Sequence, residues 1–129
     1  MSQIREINTH KVDNDEPIRI FATGERSPGN AQNDYVIGEV IEETITNCLG
    51  VVSFQKGNPA TEGHNGVTME ALLAVCLDRL HCFQCGPYPS QHNEIAAMNI
   101  ERAIEALKDR AREQKEITKA RINEMEPTK

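Results

Sequence analysis

Three side chains in the C-terminal half of this chain, Phe83, Asn93 and Arg110, are of the types that hold a flat, charged small molecule. An aromatic ring gives a base a face to stack on, a contact worth about 1 to 3 kcal/mol in stacking sites. A carboxamide both donates and accepts, and so matches a base edge or a ribose hydroxyl. A guanidinium grips phosphate with two donors at fixed geometry. The combination describes binding rather than catalysis. Taken singly, each has an ordinary structural role: Phe83 as an apolar plug at a helix end, Asn93 as a first-turn residue, Arg110 and Arg112 as solvated helix charges spaced to meet Glu113 and Glu116.

Cys82-Phe83-Gln84-Cys85, flanked by His81 and His92, is the other constellation with chemistry in it, because thiolates and imidazoles suit zinc. A closed site needs four converging ligands. The two cysteines straddle an expected helix end, and no second Cys-x-x-Cys or closely paired histidines complete the set. A redox role lacks the βαβ context of a thioredoxin. Cys85 as nucleophile with His92 as base needs a closeness that spacing does not supply. There is no Gly-x-Ser-x-Gly elbow, no phosphate loop and no His-Glu-x-x-His helix. The expectation is a protein that is not an enzyme, holds no metal, needs no cofactor and keeps Cys48, Cys76, Cys82 and Cys85 as reduced thiols.

Composition bounds the partners. A chain of 129 residues is most simply one structural unit with a modest core. With no Trp and 4% aromatic residues, that core must come from aliphatic side chains on helices, and its small size favours oligomerisation. A net charge of −6 repels nucleic acid and acidic membrane surfaces, so any bound nucleotide needs a local cationic pocket. No apolar run spans a bilayer, and Met1-Ser2-Gln3-Ile4-Arg5-Glu6 lacks the apolar core of a secretory signal, which predicts a soluble cytosolic protein.

The elements that must position these residues are legible as an α+β arrangement: a small N-terminal antiparallel β region over residues 1–60, then a helical hairpin with a charged extension over residues 61–129. Ile18-Arg19-Ile20-Phe21 alternates as a strand, and a Gly-, Pro- and Asn-rich loop follows it. Residues 35–41 and 48–55 read as two further strands joined across residues 42–47, so three antiparallel strands are expected. Leu72, Leu73, Cys76, Leu77 and Leu80 recur at helical spacing, which predicts a helix over residues 67–83 with Thr68 as its N-cap. Gly86-Pro87-Tyr88-Pro89 must end it. A second, long helix starts near Pro89 or Ser90 and buries Ala97, Ile100, Ile104, Leu107 and Ala111. Past Arg110 it becomes strongly charged, with Ile117, Ile122 and Met125 alone to bury, and a projecting extension is expected. Arg110 lies about five turns beyond Asn93, so a neighbouring subunit must bring it to the ligand.

The runs Phe54-Gln55-Lys56-Gly57-Asn58-Pro59, Asn65-Gly66-Val67-Thr68-Met69-Glu70, Phe83-Gln84, Gly86-Pro87-Tyr88, Asn93-Glu94-Ile95-Ala96 and Glu105-Ala106-Leu107-Lys108-Asp109-Arg110 resemble the first Thoeris anti-defence family of bacteriophages. The loop and strand from Pro28 to Ile37 resemble it too. The resemblance implies a non-catalytic sponge, acting in the cytoplasm of the infected bacterial host, that sequesters the glycocyclic ADP-ribose signal of the Thoeris system. It implies Phe83 stacking the base, Asn93 hydrogen-bonding the ligand, Arg110 holding the diphosphate and Asp109 contacting a ribose. It further implies a homo-oligomer, dimer or hexamer, with pockets shared between subunits. Some members also take cyclic di- or trinucleotides of the CBASS defence at a second site, for which Lys56 and Gln84 are the candidates here. The chain departs from the family pattern at Gln91, at Ala111 and from Gln114 onward. The competing readings are a zinc-binding helical adaptor and a helical module for a protein partner.

Overall fold

A computed structural model describes residues 4–125 and divides the chain into two compact units, Met1–Thr68 and Met69–Lys129. The first unit is an antiparallel sheet in the order β1-β2-β3-β4, made of β1 (Arg5–Ile7), β2 (Ile18–Thr23), β3 (Asp34–Ile41) and β4 (Thr44–Ser53). Alternation along β2 and β3 sets the register, which pairs Ile20 with Ile37, Phe21 with Val36 and Ala22 with Tyr35. The Ala22 side of the sheet is the better packed. Ala22 is buried, and the Tyr35 ring meets the Phe54 ring edge-on with centroids 5.8 Å apart.

Four strands replace the expected three, and the reasons are local. β1 has one apolar residue, Ile7, and no alternating pattern of its own. It is held through Glu6, whose carboxylate accepts from Arg19 Nε at 2.9 Å and from Arg19 Nη2 and pairs with Lys11 Nζ at 3.3 Å. β4 starts at Thr44 rather than at Cys48, because the hairpin turns in two residues, Glu42 (φ 51°) and Glu43 (φ 65°). Both angles are positive, the geometry of a type I′ turn, which Asn-Gly would normally announce. Register shifts between Ile37 and Gly38 and between Glu39 and Val40 mark irregularities in the β3–β4 ladder that increase its local twist.

The Glu6 cluster makes stability depend on pH. The Arg19 hydrogen bonds, aided by Lys11 and opposed by burial, hold the Glu6 carboxyl at about 2, against 4.5 for an unperturbed glutamate. Because the folded value is the lower one, the stabilisation is complete above about pH 4.5 and disappears as the pH falls through about 2. Melting temperature followed down through that window should fall more steeply for the native chain than for Glu6→Gln. Parallel curves would remove Glu6 from the acid response.

After β4 the chain is pinned by side-chain amides. Gln55 Nε2 donates to Gly63 O at 2.8 Å, Gln55 Oε1 accepts from Asn65 N at 3.1 Å, and Asn65 Oδ1 accepts from Lys56 N at 2.8 Å. Inside that loop α1 (Pro59–Glu62) is capped by Asn58, whose Oδ1 accepts from Ala60 N at 2.9 Å. Val67 then bridges back to the sheet end, donating to Ser53 O at 2.9 Å and accepting from Gln55 N at 3.0 Å.

The second unit is a helical hairpin of α2 (Met69–Gln84) and α3 (Gln91–Met125), which pack against each other. Thr68 stands at the expected N-cap position. Half-buried positions recur at Leu73, Leu77, Leu80 and Gln84 on α2, and at Asn93, Ile100, Ile104 and Leu107 around buried Ala97 on α3. Ala111, expected in this seam, is exposed. Every side chain from Lys108 to Glu124 is exposed, including Ile117 and Ile122, so the charged extension runs on without burial. The Met125 side chain and residues 126–129 of the expected extension lie outside the described part. Among the described residues only Ala22, Asn33, Gly38 and Ala97 are buried, and no large side chain is fully enclosed.

Candidate functional site

The last turn of α2 and the connection to α3 enclose an open cavity of about 410 Å³ lined by Arg79, Cys82, Phe83, Gly86, Pro87 and Tyr88. Local sequence explains its position. The helix cannot pass Gly86-Pro87, and its end is closed by Cys85 N donating to His81 O and Gly86 N to Phe83 O, each at 3.1 Å. Gln84 Oε1 then accepts from Ser90 N at 2.8 Å, and Ser90 Oγ accepts from His92 N at 3.1 Å to cap α3. Ser90, near which the second helix was expected to start, is thus its N-cap. Phe83, just before Gln84, and Tyr88, within the connection, are left 46% and 82% exposed. Two large aromatic side chains left in solvent beside one cavity make this bend the candidate binding surface.

Arg79 lies one helical turn before Phe83, and its guanidinium carbon sits over the Phe83 ring at 5.1 Å from the centroid. Neither Arg79 nor Tyr88 was singled out as a site residue from the sequence. The signal that could have found Arg79 is its i, i+4 spacing to Phe83, which places cation and ring on one face.

The other expected site residues lie elsewhere on the second unit. Asn93 is half-buried in the seam between the helices, with no side-chain hydrogen bond among the described residues. Asp109 pairs with Arg112 at 2.7 Å and lines a separate, shallow hollow of about 540 Å³ with Met98, Glu101, Arg102, Glu105 and Ala106. Arg110 is exposed and has no ion pair among the described residues. Helical rise separates it from Asn93 by about 26 Å along α3, too far for one compact ligand. A single chain therefore brings together Phe83, Arg79 and Tyr88, and does not bring Asn93 and Arg110 to one point.

Lys56 and Gln84, the candidates for a second site, fall in different units and each has a structural partner. Lys56 Nζ is 3.0 Å from Asp34 Oδ2, and Ser53 Oγ donates to Asp34 Oδ1 at 2.9 Å. Those two contacts, Lys56 foremost, hold the Asp34 carboxyl below the usual carboxylate range. The Gln84 carbonyl is engaged by Ser90.

All four cysteines are exposed free thiols, and among the described residues no three His, Cys, Asp or Glu side chains gather as a metal site. Cys82 Sγ faces Asp78 Oδ2 at 3.8 Å, and His81 Nε2 reaches Glu101 across the helices at 3.4 Å. No helix among the described residues is long and apolar enough to cross a membrane.

Fold and site together define a small α+β protein in which an antiparallel sheet precedes a helical hairpin with an aromatic, cationic cavity at its bend. Thoeris anti-defense 1, a protein of Bacillus phage SBSphiJ7, is 34% identical to the chain over 68 residues, which are 53% of this chain and 48% of that protein. The chain is accordingly related to the Thoeris anti-defence proteins, as the motifs implied. It spans about half the length of this curated relative. No protein-family model matches it.

Proposed function

We propose that the chain is a phage anti-defence sponge that binds and sequesters glycocyclic ADP-ribose, the immune signal of the bacterial Thoeris system, in the host cytoplasm without chemically altering it. The likeness to Thoeris anti-defense 1 carries this reading. The cavity at the hairpin bend supports it, since a stacking ring, a guanidinium and apolar walls suit a base attached to phosphate. Phe83 stacks the base, Asn93 contacts the ligand, and Asp109 and Arg110 reach it from a second copy of the chain. Assembly into a dimer or a hexamer fits the lack of any fully enclosed large side chain among the described residues and the unburied Ile95, Met98, Ile117 and Ile122 of α3.

A sponge must outcompete the effector for its signal, which calls for a dissociation constant of about 10 nM or below, roughly −11 kcal/mol. Titration calorimetry with glycocyclic ADP-ribose, followed by heat denaturation and chromatography of the released ligand, tests both halves of the proposal. Tight binding with the ligand recovered intact is expected. Recovery of an altered ligand would make the protein an enzyme. Binding only of cyclic di- or trinucleotides would move the target to CBASS, and silence with all of these would leave a helical adaptor for a protein partner.

A further inference from the structure

We infer that Arg79 is the anion-selecting residue of the cavity at the hairpin bend, so that the cavity takes a planar ring bearing a phosphate and discriminates against the same ring without one. This rests on the reading that Phe83 stacks the ring of the ligand.

Arg79 is the only charged side chain among the six lining residues. It also has no carboxylate partner among the described residues, whereas Lys108 and Arg112 in the same unit are paired with Glu105 and Asp109. Its surroundings make a cation necessary for any phosphate there. The cavity lies at the C-terminal end of α2, the negative end of the helix dipole, and the chain carries a net charge of −6.

The geometry suits a double role. The Arg79 guanidinium carbon lies 5.1 Å from the Phe83 ring centroid, and a guanidinium that meets a ring with its flat face keeps its five N–H donors in the plane, directed outward. Arg79 can therefore stay on Phe83 and grip a phosphate edge-on in the same arrangement. A lysine would retain the charge and lose both the stacking plane and the bidentate grip. Arg79 thus fixes where the phosphate sits relative to the stacked base, from within one chain and before any neighbouring subunit contributes.

Adenosine and adenosine 5′-monophosphate differ only in the phosphate and serve as probes against the full chain. Binding is read from ligand saturation transfer and from the aromatic proton shifts, which are sparse because the chain has three Phe, two Tyr and no Trp. The native protein is expected to prefer the monophosphate by about tenfold. Arg79→Ala should bring that ratio close to one while leaving adenosine binding in place, and Arg79→Lys should fall between the two. A ratio unchanged in Arg79→Ala overturns the inference, and if Phe83→Ala still abolishes binding of both probes, the stacking pocket survives without it. Phe83→Ala binding both probes as well as the native chain would overturn the pocket reading itself and the inference with it. Absence of binding by either probe would overturn the inference too, since the cavity would then select nothing by itself. Arg79 is an exposed residue, and melts of both variants followed by circular dichroism exclude unfolding as the cause.

Discussion

Alanine at Phe83 is expected to weaken glycocyclic ADP-ribose binding by about 1 to 3 kcal/mol, or roughly five- to 150-fold, the worth of one base-on-aromatic stack. The removed ring is 46% exposed and stands at the end of α2, so the loss should appear in affinity and not in melting temperature. Arg110→Ala should cost a comparable factor through its phosphate contact, although in one chain Arg110 lies about 26 Å from Asn93 along α3. The two substitutions therefore make a complementation test. If Phe83 of one subunit and Arg110 of another build each pocket, mixing the two variants in a dimer with two composite sites restores roughly a quarter of the native sites. Titration of the co-expressed mixture reads this as a partial stoichiometry at native affinity. No recovery in a mixture whose subunits demonstrably exchange would mean that both residues act from the same chain or that one of them does not bind.

The sheet unit carries the second large effect, at Gly66. A β-carbon built there would lie 2.4 Å from Phe54 C, 2.5 Å from Phe54 O and 2.6 Å from Gln55 N. These are backbone atoms, unable to swing aside as a side chain can. Gly66→Ala must push apart the strand end and the segment that bridges to it, breaking the paired hydrogen bonds of Val67 with Ser53 and Gln55. A loss of about 3 kcal/mol follows, or on the order of 10 °C in melting temperature for a chain of this size. Gly50 provides the control, since a β-carbon there meets nothing within 4 Å. Gly50→Ala in β4 should be close to neutral, and equal destabilisation by the two substitutions would refute the close-approach account.

Local pattern reached some parts of the molecule and not others, for identifiable reasons. The alternation of Ile18-Arg19-Ile20-Phe21 and the three-and-four spacing of α2 and α3 are short-range signals, and the elements that they describe formed where expected. β1 escaped because Arg5-Glu6-Ile7 becomes a strand only when Glu6 meets Arg19, a contact between residues distant in sequence. The Glu42-Glu43 turn escaped because neither residue announces a positive φ. In the site, Phe83 was legible as a ring at a helix end. Its neighbour Arg79 read as one more solvated charge until the ring was seen beneath it.

The order and type of the main elements, the break at Gly86-Pro87 and the kinship carried by the motifs were therefore legible in the unfolded chain, because each of these depends on residues within a few positions of one another. Which charges are engaged and which are available emerged only once the chain was folded. Lys56 is paired with Asp34 at the end of the sheet, Gln84 is committed to Ser90, and Arg79 rests on an aromatic face without a carboxylate partner among the described residues. A charge is open to a ligand only when no nearer group of the protein satisfies it, and which groups are near is a property of the folded chain.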